Sequence, residues 1–422
     1  MTAPRTPLKP LKSLDSALVE LLGFATVLHG VESVSTFDAD GRVLAQDIVS
    51  ALHVPPQDNS AMDGYAVRCA DVVQAQAQAQ GLLQVTQRIA AGSSGEPLAP
   101  MSAARIFTGA PIPPGADAVV MQEDCEVVKA DGMPEAGAVR IQALPAPGQW
   151  IRRAGEDVTR GSVVLSKGER LTPASLGLAA SIGMNLLPVV RRPRVALFST
   201  GDELVMPGDV APGQMKPGTI YNSNRFFLRA LLLRLGCEVT DLGIVPDRLD
   251  ATVQALQQAA QQHDLILTSG GVSVGEEDHI KPAVQSLGSL DLWQIAIKPG
   301  KPFAYGRVQN AHFIGLPGNP VSSFITFLLL VRPFLLKLQG VTQVAPKSIA
   351  IPAHFTWARA DKRREFLRVQ RNAAGGLDLF SNQSAGVLTS AVWGDGVVDN
   401  LPGQTIQHGD VVRFIPFAEV LG

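Results

Sequence analysis

Apolar positions along this chain change rhythm several times, and each change predicts a different kind of structure. Leu14, Ala17, Leu18, Leu21 and Leu22 recur at helical spacing, which predicts an amphipathic helix over Leu14–Leu28 that closes at Gly30. Between residues 54 and 150 the apolar runs are short, as in Ala118–Met121, and lie between Pro/Gly clusters. A small β-rich domain follows, with the Gln/Ala run 74–80 as a loop. Thr172-Pro173 before an Ala/Leu-rich stretch ending at Gly183 supplies a capping residue, a first-turn proline and a terminal glycine, so a second helix is predicted there. From Arg194 strand-like and helix-like segments alternate: RVALFST, a helix over 224–235, CEVTDLGIV, a helix over 251–262, DLILTSGG, and later a helix over 321–338. That order predicts βαβ units and a mainly parallel sheet. Beyond Gly340 short strands at 349–355, 365–370 and 411–415 are separated by Gly/Pro turns, which predicts a closing β domain.

At 422 residues the chain exceeds one ordinary core, so several domains are required. Hydrophobic residues at 46% and charged residues at 18% place it among globular proteins. Lys and Arg total 36 against 38 Asp and Glu without a dense basic run, which excludes a nucleic-acid footprint. The apolar run Phe324–Val331 ends at Arg332-Pro333, short of the roughly 20 residues a membrane span needs. Met1–Ser13 lacks the apolar stretch of a secretory signal, so a cytoplasmic location is expected. Cys69, Cys125 and Cys237 fit neither a disulfide framework nor a CxxC site and read as buried reduced thiols.

In an open parallel sheet, ligands collect beyond the carboxyl ends of the strands, and four polar loops are expected there at successive βα positions. STGDELV places Asp202 and Glu203 after a strand; an acidic first helical turn is the plainer reading of the same residues. TSGGVSVGEEDHIK offers Ser269, Gly270, Gly271, Ser273 and Gly275 as a phosphate cradle, although a glycine-rich turn without a ligand has the same look. Asp278 lies just beyond it, and with Glu203 and Asp247 it supplies hard oxygen ligands for a magnesium ion bridging phosphates. IKPGKPFAYG brackets a Pro-Gly turn with Lys298 and Lys301, which suit a pyrophosphate or oxyanion or simply a solvated turn. GLPGNPVSS brings Pro317, Gly318 and Asn319 to the start of a helix whose free N–H groups favour an anion.

Together these loops resemble the molybdopterin-binding fold shared by MoeA and gephyrin E-domain proteins, MogA-like adenylyltransferases and CinA-like proteins. PPQDNSAMDGYAVR at 55–68, IFTGAPIPPGADAVVMQED at 106–124 and RRAGEDV at 152–158 resemble the MoeA family, the molybdopterin molybdenumtransferases, from about Leu14 to Pro416. The resemblance implies a multidomain α/β plus β architecture. Its parts are a discontinuous N-terminal domain at 1–54 and 152–190, an inserted β-rich domain at 55–151, a central molybdopterin-binding-type α/β domain at 191–340 and a C-terminal β domain at 341–422. It implies a magnesium-dependent homodimer that inserts molybdenum from molybdate into adenylylated molybdopterin and releases AMP, served by an adenylyltransferase and other cofactor-biosynthesis proteins. The family's catalytic roles fall on Asp63, Thr108, Asp157, Glu203, Asp247, Asp278, Lys298 and Lys301, and further contacts on Arg363 or Arg364 and Ser384.

Two positions depart from the pattern. Gln294 stands where some relatives carry a lysine, and Asp247-Arg248 where VPDD is common. Asp63 and Asp157 also read as turn residues bonding their own backbone. A CinA-like nucleotide hydrolase would leave the MDGYA and FTGAP segments unexplained, and a gephyrin-like scaffold binding a partner peptide is the non-enzymatic alternative. The seven His residues are scattered, with no zinc spacing among them.

Overall fold

The computed structural model describes residues 11–129, 137–271 and 279–421. The alternating segments after Arg194 form one six-stranded sheet of β1 (Arg194–Thr200), β2 (Glu238–Val245), β3 (Leu265–Ser269), β4 (Gly288–Gln294), β5 (Pro302–Val308) and β6 (Ala311–Leu316), in the order β2-β1-β3-β6-β5-β4. The first four of that order are mutually parallel, whereas β5 and β4 pair antiparallel. Val195, Ala196, Leu197 and Phe198 on β1 are all fully buried, because helices cover both faces of a parallel sheet and leave no polar side. Helices Asn224–Arg234 and Pro320–Leu338 pack on one face, and Leu249–Gln262 with Ile280–Leu287 on the other.

The apolar run at Phe324 does not stop at Arg332-Pro333. It belongs to a 19-residue helix, Pro320–Leu338, with a π-helical segment at Phe327–Val331, mean hydropathy 1.8 and 89% of its apolar window buried. A proline at the second position of the segment Arg332–Leu338 is accommodated where the π-helical turn ends. This is the core helix of the central domain.

The opening helix spans Leu14–Phe24, four residues shorter than expected, because Ala25 is extended. Ser13 caps it by accepting from the Ser16 N–H. Its apolar stripe of Leu14, Ala17 and Leu21 enters the central core beside Phe334, Leu335 and Leu338, and Phe24 stacks on Tyr305 at 4.5 Å between ring centroids. The Leu28 N–H then donates to the Leu338 carbonyl.

Beyond that helix, two separated segments share one core: Ala39, Leu44 and Ile48 pack with Val158, Leu165, Leu171, Leu187 and Val189. Val31–Ser35 pairs with Leu186–Val190, and Ile48–Val49 with Val163–Leu165. The predicted second helix is Pro173–Ser181, capped by Thr172. The inserted region carries its own six-stranded sheet, in which Gly64 runs so close to the next strand that a Cβ would lie 1.9 Å from the Val120 carbonyl oxygen. Residues 74–76 of the expected loop are helical, since helix Cys69–Gln76 extends through them to bury Ala75 beside Val72. The closing β domain also forms a six-stranded sheet, and one of its strands, Ile297–Lys298, is borrowed from the link between β4 and β5. Of the three cysteines only Cys237 is fully buried; burial pushes all three thiols up to about 12, so each is an inert thiol.

Candidate active site

Beyond the carboxyl ends of β1, β3 and β6 lies a cavity of about 400 Å³. Of the residues expected from the sequence it gathers Glu203, Ser269, Gly270, Pro317, Gly318 and Asn319. Two of its walls are fastened by Asn224, whose Nδ2 donates to Ser269 Oγ and to the Gly318 carbonyl, both at 2.7 Å. Asn222 caps the following helix, its Oδ1 accepting from the Arg225 N–H at 3.2 Å. Gly270 and Gly271 have φ of +94° and +68°, and a Cβ on Gly271 would lie 2.4 Å from Ile280 Cγ1. The paired glycines therefore have a packing reason to be there, apart from any phosphate.

Ser273, Gly275 and Asp278 lie outside the described residues. Asp247 follows β2 but does not line the cavity, and its neighbour Arg248 pairs with Asp250. Among the described residues no group of three or more His, Cys, Asp or Glu is placed to hold a metal. Glu203 is the one described member of the expected magnesium set that reaches the cleft.

The lysine loop arrives at this end of the sheet by a route the alternation did not foretell. It links β4 to the antiparallel strand β5 as a hairpin and does not lead from a strand into a helix. Lys298 is committed to two carboxylates of the C-terminal region. Lys298 sits on the strand borrowed by the C-terminal sheet, with Nζ 3.0 Å from Glu365 Oε1 and 3.3 Å from Asp361 Oδ2. Glu365, 1% exposed, also accepts from Trp357 Nε1 at 2.7 Å and Asn400 Nδ2 at 3.2 Å. Lys301 is exposed, and no ion pair holds it among the described residues. Arg363 forks onto Asp361 at 3.0 and 2.8 Å, and these bonds, joined by Lys298, hold the Asp361 carboxyl far below the usual carboxylate range. Arg364 turns to Asp399 at 2.6 and 2.7 Å and to Asp15 of the opening helix at 2.9 Å.

Ser384 offers its carbonyl to Arg368 Nη2 at 3.3 Å, and the next carbonyl, of Ala385, accepts from the Val321 N–H at 2.9 Å. The Ser384 loop is thereby seated on the amino end of the long core helix, whose dipole is positive there. Arg368 itself is 1% exposed and bonded to Ser390 Oγ and the Phe366 carbonyl; burial lowers its guanidinium to about 10.

Asp63 and Thr108 form a pair on the inserted domain: Asp63 Oδ1 accepts from the Thr108 N–H at 2.8 Å and its hydroxyl at 2.7 Å, which holds the carboxyl below its usual value. Arg105 and Arg88 each lie 4.6 Å from the Phe107 ring beside them. Asp157 is exposed, with its N–H on the Val54 carbonyl. None of the cleft lining comes from the described residues of 55–151.

Three family models match in sequence: the MoeA N-terminal region (domain I and II) over 12–183, a probable molybdopterin binding domain over 196–337 and the MoeA C-terminal region (domain IV) over 350–417. The chain is 41% identical to the molybdopterin molybdenumtransferase of Haemophilus influenzae over 422 residues, covering 98% of this chain and 99% of that one. The chain belongs to the MoeA family. Its Bacillus subtilis relative, also a molybdopterin molybdenumtransferase, is 36% identical over 72% of this chain and 70% of its own. The solved MoeA protein of Pyrococcus horikoshii superposes with a TM-score of 0.81 at 28% identity, covering 96% of this chain and all of that one.

In this MoeA family member, two polar residues of the cleft and the buried Arg368 bonded to Ser384 escaped the sequence reading. Asn222 and Asn224 are neutral amides in the segment TIYNSNR, where the one visible signal was a polar run before a helix. Arg368 carried a clearer mark, as a charge at an inward position of REFLRVQR between Phe366, Leu367 and Val369.

Proposed function

We infer that this protein inserts molybdenum from molybdate into adenylylated molybdopterin, with release of AMP and dependence on magnesium. The observation that carries the reading is the likeness to a molybdopterin molybdenumtransferase along 98% of the chain. It spans the MDGYA and FTGAP segments that a CinA-like hydrolase would not need. The cleft supports it with a site of suitable size at the strand ends. Pterin and nucleotide occupy the cleft, while the molybdate oxyanion lies toward Lys301 and Ser384, where a cation and a helix amino end neutralise its charge. Glu203, Asp247 and Asp278 are hard oxygen donors of the kind magnesium takes, and magnesium would neutralise the pyrophosphate. Lys298 positions its loop through Glu365 and Asp361 as well as adding positive charge.

The working form is a homodimer in the cytoplasm that receives its substrate from an adenylyltransferase. Asp63, Thr108 and Asp157 act on the cleft of the partner subunit, which accounts for their distance from the lining of their own. Purified protein given adenylylated molybdopterin, magnesium and molybdate should release AMP only when molybdate is present. Mixed dimers of Asp63→Ala and Glu203→Ala chains should recover about one working site in each dimer that pairs the two. AMP release without molybdate would overturn the insertion reading, and mixed dimers as inactive as either parent would overturn the shared site.

A further inference from the structure

The cleft is lined by one charged side chain, Glu203, and otherwise by hydroxyls, amides, prolines and apolar groups; no Lys, Arg or His lines it among the described residues. Two of its amides are incompletely bonded within the protein. Asn222 is 2% exposed and Asn224 7% exposed, and Asn222 Nδ2 and Asn224 Oδ1 have no hydrogen-bond partner among the described residues. Their orientations are fixed. Asn222 must present Oδ1 to the Arg225 N–H, and Asn224 must present Nδ2 to the Gly318 carbonyl, so neither amide can be turned over without breaking a bond to the backbone. What remains is one donor and one acceptor, each shielded from solvent, where an unmade hydrogen bond is costly.

A phosphate oxygen could satisfy the donor, but nothing in an ionised phosphate could satisfy Asn224 Oδ1, which needs an N–H or O–H. At the amino end of the adjacent core helix the Val321 N–H already serves the Ala385 carbonyl. We propose that Asn222 and Asn224 recognise a neutral edge of the ligand that carries both a hydrogen-bond donor and an acceptor, and that the phosphates lie outside this part of the cleft. Three parts of adenylylated molybdopterin have that chemistry: the amino-lactam edge of the pterin, the hydroxyls of the ribose and the amino edge of the adenine. The inference rests on the proposed substrate and adds which part of it this cleft reads. It divides the site into a neutral recognition cleft and a separate cationic edge.

Calorimetric titration of full-length protein with adenosine, with a phosphate-free pterin and with inorganic phosphate tests it in three arms. Asn222→Ser keeps a side-chain oxygen for the helix cap while its shorter hydroxyl falls short of the place of the amide donor, and Asn224→Ala removes the acceptor together with the Nδ2 bonds to Ser269 and Gly318; both are neutral and leave Coulomb attraction for phosphate unchanged. The neutral probe that occupies the cleft should weaken about tenfold in each variant, with phosphate affinity within about twofold of wild type. Which of the two neutral probes responds identifies whether the pterin or the nucleoside is read. Equal weakening of all three probes together with a lowered melting temperature would make the amides structural struts and overturn the proposal. So would neutral-probe affinities unchanged in folded variants, or the failure of both neutral probes to bind wild type. Molybdate-dependent AMP release by wild type is measured alongside: its absence defeats the functional reading, whereas its presence with unaltered neutral-probe binding defeats this inference alone.

Discussion

The cleft beyond β1, β3 and β6 and the seam between the central and C-terminal domains are both polar, yet they are built on opposite principles. In the cleft, neutral amides and hydroxyls are held by backbone bonds, and two amide atoms are left without a partner among the described residues. In the seam, Lys298, Asp361, Arg363, Glu365, Arg364, Asp399 and Asp15 are each engaged in ion pairs. Recognition requires unused hydrogen-bonding capacity, whereas holding two sheets in register requires that capacity to be spent within the protein. Of Lys298 and Lys301, three residues apart, Lys298 is spent in this way and Lys301 is held by no ion pair among the described residues.

The comparison breaks most visibly at Glu365. Its burial and three partners make Glu365→Ala a loss of about 3–5 kcal/mol in urea unfolding, since Trp357 Nε1 loses its acceptor and Lys298 and Asn400 each lose one of two partners. A loss below about 1 kcal/mol would mark the seam as an ordinary surface pairing. Next is Asp361, where Asp361→Asn should cost about 1.5–3 kcal/mol at neutral pH. Its folded carboxyl titrates below the unfolded value, so its contribution is fully present above about pH 4 and is lost as pH falls through the folded value. Urea midpoints measured from pH 7 to pH 2 should therefore fall less steeply at the acid end in the variant.

A smaller effect separates the two lysines. Lys301→Ala should raise the KM for molybdate about tenfold with no change in melting temperature, while Lys298→Ala should lower both turnover and melting temperature. Equal thermal penalties would erase the distinction between them. The smallest change is Gln294→Lys, which adds a charge at the end of β4 and should tighten molybdate binding about two- to fivefold, less as salt rises.

Much of this arrangement was legible in the sequence because it rests on local periodicity. Strand and helix alternate from Arg194 to Leu338 with a pattern strong enough to place Glu203, Ser269 and Asn319 at one end of one sheet. What escaped depends on partners distant in sequence. The end of the opening helix is set by Ala25 turning extended, and Leu28 then reaches Leu338. Lys298 looks like a free cation until a strand from another domain lays Glu365 beside it. Asn222 and Asn224 carry no charge, and only the fold reveals which of their atoms remain unused.

The burial of Leu14, Ala17 and Leu21 among Phe334, Leu335 and Leu338 has a consequence during synthesis. This first helix leaves the ribosome with its apolar stripe uncovered, and its packing partners are made some three hundred residues later. At about 5–20 residues per second the interval is on the order of 15–60 s. Through that time the N-terminal and inserted domains have all their own strands and can fold, while the segment preceding them cannot. Nascent chains halted just before Pro320 should thus expose the opening helix to protease and to chaperones that hold apolar segments, and chains extended past Leu338 should protect it. The last helix of the central domain closes over the first helix of the chain.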